Sequence, residues 1–75
     1  MMKNIRKIIN TVLKNRNKQE VSEINENSHL RSDIGFDSLD LAELTVRIET
    51  EYDVDIFEDG IINTVGEIMQ KINNK

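Results

Sequence analysis

The chain has 75 residues with no cysteine and a single histidine, His29. A chain this short buries only about 60% of the surface that its unfolded form exposes, which leaves little room for a catalytic cavity walled by several layers of protein. Without cysteine there is no disulfide framework, thiolate nucleophile or Cys-based zinc site, and one imidazole excludes two-histidine metal centres.

The net charge of −4 hides a division along the chain. From Met1 to Lys18 there are six basic residues (Lys3, Arg6, Lys7, Lys14, Arg16, Lys18) and no acids, whereas Gln19 to Lys75 carries fourteen acids against four bases. An acidic body of this kind repels phosphate backbones and anionic lipid and favours basic protein partners, so neither nucleic acid nor stable membrane insertion is expected. No stretch approaches the ~20 apolar residues of a membrane span. The first segment is too interrupted by charge for a signal peptide, and it lacks the serines of a transit peptide. A cytoplasmic, monomeric protein is expected, with residues 1–75 forming one stand-alone domain.

In chain order, Ile5, Ile8, Ile9, Val12 and Leu13 recur at helical spacing and predict an amphipathic helix over Lys3 to Asn15. Its apolar stripe is of ordinary width and has no Trp or Phe, so it is read as a core face rather than a membrane-surface helix. From Asn15 to Asp37 the chain is polar, with Val21, Ile24, Leu30, Ile34 and Phe36 as isolated apolar points. A connection of about twenty residues is unusual in a compact domain. Those points predict a long loop pinned to the core, with His29 as a solvated loop residue.

Asp37 or Ser38 can cap the next helix, which extends through Leu39 to Tyr52 without Gly or Pro. The segment Phe57 to Ile62 predicts a short helical turn. Thr64 and Glu67 form a capping box ahead of a last helix whose stripe is Val65, Ile68, Met69 and Ile72. With no period-2 strand, the fold class is all-α: three longer helices plus one short one.

On a wheel of about 100° per residue, Leu41, Leu44, Ile48 and Tyr52 share the buried side of the second helix. Leu39 and Val46 fall nearly opposite, in company with Glu43 and Glu49. Isolated exposed apolar residues are ordinary. Two of them flanked by carboxylates near a helix start suggest a docking stripe. Asp40 and Glu43 also complement the helix dipole, a role that requires no partner, and Arg47 can pair with Glu43.

The segment Asp33-Ile34-Gly35-Phe36-Asp37-Ser38-Leu39 resembles the attachment motif of acyl carrier proteins, [LI]-G-x-D-S-L, at all five specified positions. The setting strengthens the resemblance: an acidic chain of suitable length, with the serine midway and opening a helix. It extends to Leu30-x-x-Asp33, to Glu49-x-Glu51-Tyr52-x-Val54-x-Ile56 and to Thr64-Val65. The resemblance implies that Ser38 receives 4′-phosphopantetheine from coenzyme A through a magnesium-dependent phosphopantetheinyl transferase, with Asp37 and Leu39 beside it in the site. The thiol of the arm would hold acyl groups as thioesters and present them to partner enzymes in fatty-acid, polyketide or related biosynthesis. The resemblance also matches Leu39, Asp40, Glu43, Val46 and Glu49 to family positions that meet basic surfaces on acyl-loading and acyl-processing enzymes. A helix N-terminus suits a phosphodiester on physical grounds, because unpaired amides and the helix dipole face it. Gly35 is read as supplying a positive φ in the preceding turn.

The chain departs from fatty-acid carriers where Ile56 is followed by Phe57-Glu58-Asp59-Gly60, in a connection to Thr64 that is read as shorter, and in its basic first helix. These departures suit a specialised carrier of polyketide, aminoacyl or surface-polymer chemistry. A different class also fits the exposed Leu39 and Val46: a helical interaction module without a prosthetic group. Asp53, Asp55, Glu58 and Asp59 fail the calcium-loop pattern, since Phe57 and Glu58 stand where that loop needs Asp or Asn and then Gly. No metal site is expected, and no catalytic residue.

Overall fold

In the computed structural model, which describes residues 1–74, three helices follow one another: α1 (Met2–Asn15), α2 (Ser38–Tyr52) and α3 (Val65–Asn73). There is no strand among the described residues; an isolated antiparallel bridge joins His29 to Thr64. The five apolar residues that predicted α1 are all buried, packed with Leu41, Leu44 and Ile48 of α2 and with Val65 and Ile68 of α3. The helical periodicity of the sequence thus becomes one shared core.

The long connection between α1 and α2 has no regular structure, yet it is held at several points. Leu30, Ile34 and Phe36 are buried in the core. The Asn10 side-chain amide donates to the Val21 carbonyl at 2.9 Å and its oxygen accepts the Val21 amide at 2.8 Å, so one side chain of α1 stands in for a strand partner. Further along, the Leu30 amide donates to the Asn63 carbonyl (2.8 Å), Val65 to Ser28 (3.0 Å) and Gly66 to Glu26 (2.9 Å). Gly66 has to be small here, because a Cβ would lie 2.9 Å from the Glu26 carbonyl oxygen. This chain of bonds fixes where α3 begins relative to the loop and so closes the bundle.

His29 is more than a solvated loop residue. Its amide donates to the Asp33 carboxylate at 2.7 Å, while its Nδ1 accepts from the amides of Arg31 (3.2 Å) and Ser32 (3.3 Å). The imidazole caps the turn that leads to Gly35, which is at φ 92°, the conformation its lack of a Cβ permits.

The short helix expected between Phe57 and Ile62 does not form. Residues 56–59 make hydrogen-bonded turns instead, with Glu58 donating to the Asp55 carbonyl at 3.3 Å and Gly60 to Phe57 at 3.2 Å. Ile56 and Ile62 are both buried across this short span, and Gly60 at φ 133° interrupts any helical path between them. The box before α3 is present as expected: Thr64 Oγ1 accepts the Glu67 amide at 3.3 Å and the Glu67 carboxylate accepts the Thr64 amide at 3.2 Å.

Candidate attachment site

Ser38 is exposed and is the first residue of α2. The cap is not Ser38 but Asp37, whose Oδ1 accepts the amides of Leu39 and Asp40, each at 3.0 Å. Asp40 completes the box by accepting the Asp37 amide at 2.9 Å. The division of labour matters: because Asp37 takes the capping role, the Ser38 hydroxyl is not required to hold the helix start.

A cluster of charge surrounds this turn. Arg16, just past the end of α1, donates from Nη1 to Asp40 Oδ1 at 3.0 Å and from Nη2 to Asp37 Oδ2 at 3.3 Å. Lys18 Nζ donates to Asp37 Oδ2 at 3.3 Å, to the Gly35 carbonyl at 3.2 Å and to Asp40 Oδ2. The Asp40 amide, then the Lys18 hydrogen bond and the Arg16 charge, hold the Asp37 carboxyl well below the usual carboxylate range. The Lys18 ammonium is raised by its hydrogen bond to Asp40.

Asp40 therefore does not belong to an exposed docking stripe. Its side chain is 0% exposed, and its carboxylate accepts from Arg16, Lys18 and the Asp37 amide. Two physical causes pull it inward: the box turns the carboxylate back over the helix start, and the two cations neutralise it there. Leu39 and Val46 are exposed as the wheel required, at 69% and 64%. Glu49 is exposed, while Glu43 is half-buried. Glu43 accepts from Asn15 Nδ2 at 3.0 Å and from Arg47 Nε at 2.9 Å, contacts that lower its pKa. Val46 also borders an open groove between α1 and α2, lined by Ile8, Thr11, Glu43, Arg47 and Thr50.

Sequence reasoning missed Arg16 and Lys18, whose stretch it left without a role. Their spacing from Asp37 spans the whole irregular loop, and only an unpaired run of bases before an unpaired run of acids hinted at an ion-pair cluster.

A family model described as "phosphopantetheine attachment site" matches residues 3–72. The chain belongs to this family of carrier domains. Among its relatives, an acyl carrier protein of Buchnera aphidicola subsp. Schizaphis graminum is 37% identical over 75 residues, covering 97% of this chain and 90% of the relative. An acyl carrier protein of Chlamydia felis is 38% identical over 58 residues, covering 75% of this chain and 74% of the relative. No solved structure matches.

As a member of the family, the carrier domain holds 4′-phosphopantetheine covalently, is not a catalyst, and works by interaction with biosynthetic enzymes. The residues present fit such a group: an exposed hydroxyl on the first turn of a fifteen-residue helix can be esterified without unmaking a cap or opening the core. No helix among the described residues is long and apolar enough to cross a membrane.

Proposed function

We propose that this chain is an acyl carrier and that Ser38 Oγ is the atom that bears the arm. The observation that carries the reading is the exposed Ser38 at the start of α2, with Asp37 rather than Ser38 capping the helix. The Ser38 oxygen attacks the pyrophosphate of coenzyme A at the phosphorus nearer pantetheine. A phosphodiester forms, adenosine 3′,5′-bisphosphate leaves, and the serine proton passes to a base of the transferase. The carrier supplies only the nucleophilic oxygen and its placement. Once attached, the group supplies a flexible thiol that holds an acyl chain as a thioester.

The chain acts as one carrier domain. The docking face consists of Leu39, Val46 and Glu49, with Glu43 at its edge; Asp40 is excluded because it is buried. A basic partner surface with an apolar contact for Leu39 and Val46 complements it. Exposed charge pairs contribute ~1 kcal/mol or less each and are screened by salt, so docking is transient, as a carrier visiting several enzymes requires.

Incubation with coenzyme A, Mg²⁺ and a broad-specificity phosphopantetheinyl transferase, read by intact mass, tests the reading. One added phosphopantetheine is expected on the wild type and none on Ser38→Ala. Equal modification of both proteins rules out Ser38, and no modification of either favours an interaction module without a prosthetic group. Mass analysis of the arm on protein from its native cell separates acyl from aminoacyl cargo.

A further inference from the structure

Arg16 and Lys18 stand outside the attachment motif, but their contacts converge on it. Between them they engage the Gly35 carbonyl, the Asp37 carboxylate and the Asp40 carboxylate, which are groups on both sides of Ser38. The side chains of Arg16 and Lys18 are each 31% exposed, so the cluster is partly shielded from water.

Without the two cations, the carboxylates of Asp37 and Asp40 would face each other across one capping box as like charges, one of them fully buried. That arrangement favours opening the turn or drawing Asp40 out to solvent, because a buried charge is tolerated only when paired. Helix ends are also where local opening is easiest. The bonds from the end of α1 turn a helix start that would otherwise fray into one anchored to a second helix.

We propose that Arg16 and Lys18 are positioning residues for the modification of Ser38: acting through Asp37 and Asp40, they hold the first turn of α2 so that the serine oxygen is presented in one place. The inference rests on the reading of Ser38 as the attachment residue. Phosphoryl transfer is sensitive to such placement, since in-line attack requires the oxygen and phosphorus to meet within a narrow range of distance and angle. The clamp also accounts for the basic residues at the end of α1, which are wired to the attachment turn rather than left as a solvated face.

The test uses the full chain in three variants. Arg16→Met/Lys18→Met removes both charges and keeps apolar stems. Arg16→Met/Lys18→Met/Asp40→Asn also removes the stranded buried charge, so that folding is preserved if the first variant unfolds. Arg16→Lys/Lys18→Arg preserves both charges. Modification by the transferase is followed by intact mass over a range of carrier concentrations, and amide hydrogen exchange is measured at Leu39 and Asp40. The triple variant is expected to keep its helical circular dichroism while kcat falls roughly tenfold or more, with KM little changed. Its amides at positions 39 and 40 should exchange faster, and the charge-preserving variant should recover both readouts. Modification of the triple variant at the wild-type kcat, or wild-type protection of those amides, overturns the proposal. A loss confined to KM would make the two cations transferase contacts and overturn it equally. If the wild type itself is not modified at Ser38, the attachment reading fails and this inference falls with it; if the wild type is modified and the variants are unaffected, this inference alone fails.

Discussion

Replacing Asp40 by alanine separates two pictures of this residue, one as an exposed docking acid and the other as the buried centre of a charge cluster. A surface acid contributes little, and its removal changes stability by about 0.5 kcal/mol at most. The structure predicts a larger effect, because the carboxylate is fully buried and accepts from Arg16, Lys18 and the Asp37 amide. Breaking a buried ion pair by deleting one partner costs ~3–5 kcal/mol when the other charge is stranded. Here the two cations are 31% exposed and keep Asp37, so they can rehydrate, and the expected loss falls to about 2–3 kcal/mol. For a domain of this size that lowers the melting temperature by roughly 10–20 °C. Asp40→Asn retains an acceptor for the Asp37 amide and should lose less, about 1–2 kcal/mol. Urea unfolding followed by circular dichroism at neutral pH measures both. An Asp40→Ala protein within about 0.5 kcal/mol of wild type, the surface scale, refutes the burial argument; equal losses for Ala and Asn refute the division between charge and hydrogen bonding.

Three further outcomes are expected. Gly66→Ala should destabilise by ~1–2 kcal/mol in urea melts despite the higher helix propensity of alanine, because the new Cβ would press on the Glu26 carbonyl oxygen at 2.9 Å; a neutral or stabilising result means the loop yields freely. Leu39→Lys/Val46→Lys should leave stability within about 0.5 kcal/mol, since both residues are exposed, while slowing turnover by partner enzymes; unchanged kinetics with every partner would count against the docking face. The carboxyls of Asp37 and Glu43 are lowered in the folded state, so their contribution is fully present above the ordinary carboxylate range and is lost as pH falls through and below about 4. The stability gap between wild type and Asp37→Asn/Glu43→Gln should therefore narrow between neutral pH and about pH 3 in urea melts, and a gap that widens contradicts the ion-pair geometry.

The three helices were legible because each carries its own apolar period, and the Thr64 box because its two partners lie three residues apart. Leu39 and Val46 were legible for the same reason: on one helix, angle alone separates the core side from the water side. The five-position motif around Ser38 is likewise local. Asp40 was matched to the docking face by the family resemblance, not by its angle on α2, and contacts from outside the helix decide its direction. The box draws the carboxylate back to Asp37, and two cations from beyond α1 complete its coordination. The segment after Ile56 was misread because a helical turn there would have to run through Gly60, which takes φ 133° between the buried Ile56 and Ile62.

The division of charge along the chain acquires a structural meaning from these contacts. Composition alone established a net acidic chain and excluded self-contained thiol or two-histidine chemistry, because those conclusions depend only on which residues are present; the basic start before an acidic body came from the order of the charges. The motif and the helical periods pointed to the family, the helices and the serine, because they depend on neighbours in sequence. Tertiary structure decided that Arg16 and Lys18 meet Asp37 and Asp40 beside that serine, across separations of 19 to 24 residues. Ion pairs of that separation leave no period in the sequence; they form only when the loop's buried residues have brought the end of α1 to the start of α2.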